Sequence, residues 1–252
     1  MDHSPTIPLE LVDLILDFLH SDDDTLSACT LVCKSWLPSA RFHLLSRIAL
    51  HTSNADSFLD EVEIVSAQVH EDMMLPKFIA TGLMNVTSLR IDGLDLSTVP
   101  PALPFSFPKL ECLCLEGFEA KSFGVIALWI SGFPLLRSLK LAGDWDGDEI
   151  ETPIVARIPE LLHTLDVNCP LKVLFEWLLS LPVVPVTSSL VLRDIWTEES
   201  STISRYLAVA GSSLRSLTVV YPRKEVICLD LKQNTCLQTL SWSPTLTQWR
   251  AS

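Results

Sequence analysis

The sequence is poor in glycine, in cations and in long apolar runs, and each scarcity closes off a class of function. Eight glycines in 252 residues leave little room for a phosphate-cradling loop, and no Gly-x-Ser-x-Gly or His-Glu-x-x-His arrangement occurs. Eighteen Lys and Arg stand against 31 Asp and Glu, a net charge of −13. With no basic stripe, binding to nucleic acid or to an anionic membrane is not expected. The longest apolar stretches, Phe123 to Ile130 and Leu178 to Val186, fall far short of a bilayer crossing, and Pro182 and Pro185 interrupt the second. Met1-Asp2-His3 opens the chain without a basic lead into an apolar run, so no secretory signal is expected and the reading is a soluble protein of the cytoplasm, the nucleus or both.

Seven cysteines, at 29, 33, 112, 114, 169, 228 and 236, are an odd count without a secretion signal. They read as reduced, buried thiols rather than a disulfide framework. Cys29 and Cys33 would share a helix face, and Cys112 and Cys114 a strand face. No histidine stands beside either pair, so packing is expected and no metal site. Asp144-Trp145-Asp146-Gly147-Asp148-Glu149 invites a calcium reading but fails on register: Glu149 stands where the loop glycine belongs and Val155 where the closing Glu belongs. An exposed turn is expected there. The six histidines are scattered, with His163 at the rim of a strand. No catalytic residue and no cofactor emerge, and the expectation is a non-enzyme.

The acidic charge is uneven. Residues 1–50 hold seven acids and three bases, residues 51–76 six acids and no base, and the remainder 18 acids and 15 bases. The block from Asp56 to Asp72 reads as a solvated connecting face. Before it, residues 8–20 read as a helix, with Pro8 at the first helical position and Glu10 in the first turn. Glu10, Asp13 and Asp17 form one narrow polar stripe, and everything else from Leu9 to Leu19 is apolar. A helix so apolar must be covered on more than one side. Thr25 to Trp36 and Ala40 to Leu50 continue as helices. Three short helices in so few residues are near the lower limit for independent folding, which predicts an apolar docking surface unless the rest of the chain covers it.

Ile7-Pro8-x-Glu10-Leu11, then Ile15-Leu16-x-x-Leu19, then Leu31-Val32-Cys33-Lys34-x-Trp36, resemble the F-box in order and position. Ile7 replaces the commoner Leu, and the Ser21–Asp24 loop is unusually acidic. The resemblance covers residues 7 to about 47. It implies docking onto the Skp-type adaptor of a cullin–RING ubiquitin ligase, and through it onto the cullin scaffold. Carried over by position, Pro8, Glu10, Ile15, Leu16, Leu19, Leu31, Val32 and Trp36 would form or support that interface.

From residue 86 the pattern x-x-Leu-x-Leu recurs. The leading leucines 89, 113, 139, 165, 190, 217 and 240 are spaced 24, 26, 26, 25, 27 and 23 residues apart. An apolar residue precedes most of them by three positions: Val86, Leu110, Leu136, Leu162, Leu214 and Leu237. This is the leucine-rich-repeat template, a short strand and a helical return, whose units stack because none buries its apolar face alone. Phe123 to Ile130, Leu171 to Leu178 behind Pro170, and Thr202 to Ala210 are the expected return helices. Outward strand positions would line the concave face. One column is small (Ser88, Cys112, Ser138, Thr164, Ser189, Ser216, Thr239), and beside it stand Arg90, Asp92, Glu116, Lys140, Asp166 and Arg193, the candidate contacts for a target protein. The chain runs ten residues past its last strand without a polar cap, which reads as a frayed end or a shortened array.

The expected architecture is therefore α/β: an F-box-like three-helix domain over 1–50, an acidic helical connector over 51–83, and a curved solenoid of about seven strand–helix repeats over 84–252. Two functional readings follow. One is the substrate receptor of an SCF-type ubiquitin ligase, acting by proximity in protein degradation. The other is a non-catalytic repeat scaffold whose N-terminal helices only cap the solenoid.

Overall fold

The computed structural model describes residues 7–20, 22–44, 46–55, 57–59, 83–147, 159–221 and 228–244. Most of the acidic block from Asp56 to Asp72 lies outside the described residues. Three short helices come first: α1 (Leu9–Phe18), α2 (Asp23–Val32) and α3 (Leu37–Leu44). Pro8 caps α1 rather than opening it, its carbonyl accepting from Leu11 N at 3.0 Å and Val12 N at 3.2 Å. Asp22 caps α2: one carboxylate oxygen accepts from Thr25 N at 3.0 Å, and the other from the Thr25 hydroxyl at 2.7 Å. Val12, Leu16, Leu26, Cys29 and Ala40 form a small core of their own, flanked by Leu19, Trp36 and Leu44.

After them the described residues form one parallel sheet of eight strands in strict chain order, with helices among its crossovers: β1 (Arg47–His51), β2 (Ser88–Asp92), β3 (Cys112–Phe118), β4 (Ser138–Gly143), β5 (Thr164–Asn168), β6 (Ser189–Arg193), β7 (Ser216–Tyr221) and β8 (Thr239–Pro244). Each x-x-Leu-x-Leu segment forms a strand, and the leading leucines pair in register across β2 to β8. Leu89, Leu113, Leu139, Leu165, Leu190 and Leu217 are buried, as is the next inward column, Ile91, Leu115, Leu141, Val167, Leu192 and Val219.

The residue just before each strand sets the register. Its carbonyl accepts both N–H groups that open the next strand: Ser46 from Thr87 and Ser88, Thr87 from Glu111 and Cys112, and so on through Arg215. Seven such carbonyls run across the sheet, with N···O distances of 2.8–3.1 Å. Parallel pairing needs a crossover after every strand. Helices α4 (Phe123–Ser131), α5 (Leu171–Ser180) and α6 (Ser200–Ala210) supply three of them and bury their apolar faces in the common core.

Strand β1 departs from the sequence reading. Ala40 to Leu50 is not one helix: α3 stops at Leu44, and Arg47–His51 joins the sheet beside β2. The expected boundary at residue 50 falls inside this strand. The thiols also differ. Cys29 alone is buried, Cys114 and Cys169 are half-buried, and Cys33, Cys112, Cys228 and Cys236 are exposed, all of them free. Outward strand positions and chain turns hold most of them, and neither belongs to a core. The expected exposed turn at Asp144 is only partly so: Asp144 and Asp146 are exposed, but Trp145 folds inward against Phe123, ring centroids 5.1 Å apart.

Glu199 ties two crossovers together. One carboxylate oxygen accepts from Leu171 N at 2.8 Å and Lys172 N at 3.3 Å, the first amides of α5, and the other from Trp196 N at 2.8 Å. Burial raises this carboxyl above the usual range, against the pull of the three N–H groups toward the ionised form. Among the described residues, no helix is long and apolar enough to cross a membrane.

Candidate functional site

Two surfaces carry the residues singled out above. The first is on α1, where three stripes run along the helix. Val12, Leu16 and Leu19 face the small core. Asp13 and Asp17 face α3, where Asp13 accepts from the Ser39 hydroxyl and Asp17 lies 3.0 Å from His43 Nε2. Leu11, Leu14, Ile15 and Phe18, at i, i+3, i+4 and i+7, face water. The acidic stripe, which a sequence reader would place outermost, is thus partly spent on α3. Phe18 is 86% exposed, and Leu31 at the end of α2 is also 86% exposed, with Ile7, Leu9 and Val32 exposed as well. So many uncovered apolar side chains on one short unit are unusual for a finished surface.

The residues carried over from the F-box resemblance divide accordingly. Pro8, Glu10, Ile15, Leu31 and Val32 are exposed, Leu19 and Trp36 are half-buried, and Leu16 is fully buried in the core beneath. Phe18, Leu11 and Leu14 were not among them. Leu11, Ile15 and Phe18 share the i, i+4, i+7 spacing of Val12, Leu16 and Leu19, so spacing alone does not separate outer from inner positions.

The second surface is the outward face of the sheet. The six charged residues expected there do lie on it, but each is engaged with charge of the opposite sign. Arg90 on β2 and Lys140 on β4 both contact the Glu116 carboxylate of β3 between them. Arg193 on β6 grips Asp166 on β5 with two bonds, Nε to Oδ1 at 2.8 Å and Nη2 to Oδ2 at 3.1 Å. Asp92 lies 3.9 Å from Arg90 and 3.7 Å from His51 Nδ1. The contacts of Glu116 and of Asp166 run diagonally between adjacent strands, whereas Asp92 meets His51 directly opposite it and Arg90 on its own strand.

The pairing moves the ionisation of the groups. The Lys140 ammonium, hydrogen-bonded to Glu116, holds that carboxyl below its usual 4.5, and Arg90 adds to the effect. Lys140 is raised in return, again chiefly through Glu116. Cys114, on the same face, is raised by partial burial and then by the Glu116 charge. A carboxyl held below its unfolded value contributes stability that is present above that value and is lost as pH falls through the folded one. Urea unfolding compared at pH 7 and pH 3.5 should therefore show a slightly smaller acid loss for Glu116→Gln than for the parent, by less than about 1 kcal/mol because the pairs are partly exposed.

A third feature is a cavity of about 320 Å³ at the end of β2 to β4, lined by Asp95, Glu119, Asp144, Asp146, Lys121 and Trp145. Among the described residues no group of three His, Cys, Asp or Glu could hold a metal ion. The Trp145 indole nitrogen is fully enclosed, so the cavity presents mainly carboxylates. Comparison with known protein families and with curated proteins found no match for this chain.

Proposed function

We propose that the chain is the substrate-recognition subunit of an SCF-type cullin–RING ubiquitin ligase, an F-box unit joined to leucine-rich repeats. The observation that carries the reading is the uncovered stripe Leu11, Leu14, Ile15 and Phe18 on a helix that is already fully supported from within. Leaving one such side chain in water forfeits about 1.5–3 kcal/mol of burial, and a partner's apolar groove recovers it. The F-box-like sequence identifies that partner as a Skp-type adaptor, with the cullin scaffold reached through it. The repeats would hold a target protein, and the ligase chemistry would occur on other subunits in the cytoplasm or nucleus.

The scaffold reading, in which the helices cap the sheet, accounts for the contacts of Arg47. The Arg47 guanidinium of β1 donates to the His20 carbonyl and lies 4.0 Å from Asp23. It leaves the exposed stripe without a purpose.

A pull-down with purified Skp-type adaptor separates the two. Ile15→Asp/Phe18→Asp should abolish capture while leaving the circular dichroism and melting of the chain unchanged. Leu16→Asp should instead disrupt the helical unit itself, since that side chain is core. Failure of the intact, folded chain to capture the adaptor would overturn the ligase reading.

A further inference from the structure

The two edges of the sheet are finished differently. In parallel pairing, alternate residues of an edge strand turn both main-chain groups away from the neighbour. On β1 the Ser46 carbonyl takes the Ser88 N–H, so Ile48 and Leu50 serve β2 while Ala49 and His51 point outward. The Asn54 side chain closes that edge: its Oδ1 accepts from His51 N at 2.7 Å, and its Nδ2 donates to the Ala49 carbonyl at 3.1 Å. Covered in this way, an edge cannot take a further strand.

At the other edge, β8 ends the strand order. Thr239 N donates to the Arg215 carbonyl at 3.0 Å, so Thr239, Ser241 and Ser243 serve β7, and the main chain of Leu240 and Trp242 faces away from it. The side chains of this pair occupy the two inward columns. The corresponding residues on β2 to β7 are no more than 2% exposed, whereas Leu240 is 53% and Trp242 49% exposed. A ninth strand would cover them.

Charge and sequence identify that strand. Each of β1 to β6 carries a charged side chain, and β7 and β8 carry none. Seven strand intervals put β8 about 34 Å from β1, and the screening length at physiological salt is about 8 Å. The acidic helices lie at the β1 end, where Arg47 meets His20 and Asp23. On a chain of net charge −13, two copies therefore meet with little repulsion along β8. The strand is also self-complementary. An antiparallel mate centred on Ser241 sets Leu240 opposite Trp242 and Trp242 opposite Leu240, each pair exchanging two N–H···O bonds. Pro244 has no N–H and ends the ladder there. Both apolar side chains stay on the inward side, an aliphatic one facing an aromatic one across the joint.

We infer that a second copy of this chain docks antiparallel along β8, forming a two-fold dimer in which the two sheets run on as one. The contact is small, so the dimer is weak and forms and separates readily. It leaves the α1 helices at the far ends of the assembly, and it is independent of the adaptor.

The test is sedimentation equilibrium of the full chain at physiological salt, where a dissociation constant of about 10–100 μM is expected for a contact of this size. Ser241 is exposed, so Ser241→Lys should leave melting unchanged. It sets two like charges opposite each other across the two-fold and should weaken the dimer at least about tenfold. Ser241→Glu should do the same, and an equimolar mixture of the two variants should associate within about threefold of the parent. That recovery requires Ser241 to face its own copy. A chain still monomeric at about 200 μM, well above the range for such contacts, overturns the inference, whether the edge stays open or the chain's own residues cover it. A dimer undiminished in Ser241→Lys overturns it too, as does a mixture that fails to recover. A monomer that instead takes up a labelled Val-Thr-Val-Thr-Val peptide assigns the edge to another protein's strand and overturns the second copy. Adaptor capture should be equal for the parent and Ser241→Lys, so failure of one proposal is visible without failure of the other.

Discussion

Phe123→Ala should lower the unfolding free energy by about 3–5 kcal/mol, a fall of roughly 6–20 °C in melting temperature. Phe123 opens α4, is fully buried, and is the ring on which two indoles rest: Trp145 at 5.1 Å and Trp177 at 5.2 Å. Both indole nitrogens are buried and find no hydrogen-bond acceptor among the described residues, so ring packing is what seats them. Truncation removes the shared partner of both and opens a cavity that no flexible neighbour fills. Leu128→Ala, on the exposed side of the same helix, should change stability by no more than about 0.5–1 kcal/mol. Urea unfolding followed by tryptophan fluorescence measures both, and a Phe123→Ala loss below 1 kcal/mol would contradict the arrangement.

Glu199→Ala should cost about 2–4 kcal/mol, since three backbone donors lose their acceptor at once. Glu199→Gln should cost less: one amide oxygen can still serve Leu171 and Lys172, but an NH₂ group then faces Trp196 N. The pH dependence separates this residue from Glu116. Its folded carboxyl is raised by burial above the usual 4.5, so the folded state retains a proton that the unfolded chain releases. Its contribution is greatest below the unfolded value and declines as pH rises through the folded one. Glu199→Gln should flatten that decline, whereas Glu116→Gln flattens the loss on the acid side. Denaturation midpoints across pH 3.5–8 would register the two opposite signs.

Much of the sheet was legible because its signal is local and repeats. Period-2 alternation around each leucine, with spacings of 23 to 27 residues, places β2 to β8 without knowledge of the fold. Strand β1 was not legible. Arg47-Ile-Ala-Leu-His follows directly on a helix, its alternation is short, and its partner Ser88 lies far along the chain. Glu199 was hidden for the same reason, because Leu171 and Lys172 are 28 and 27 residues away. Trp145 was misplaced because four acids around it outweigh one indole in any local count.

The candidate surfaces were half legible. Alternation puts Arg90, Lys140 and Arg193 on the outward face, but which carboxylate each meets depends on a diagonal across two strands. For α1 the sequence shows an excess of apolar residues. Which of Ile15 and Leu16 turns inward is decided by the packing of α2 and α3, which the excess alone does not reveal.

The row of carbonyls between successive strands has an evolutionary corollary. Each joint is made chiefly by main-chain atoms, one oxygen serving two N–H groups, from Ser46 to Arg215, with the Thr87 and Ser188 hydroxyls adding to those at Ser46 and His163. Such a joint is indifferent to which side chains flank it and reaches only to the next strand. A segment of about 25 residues duplicated or deleted in frame would find the same joint on either side, while the loss of one residue within a strand would turn that strand's inward leucines outward. Lineages carrying this architecture can thus change the length of the sheet in whole steps, leaving the helices at its start untouched.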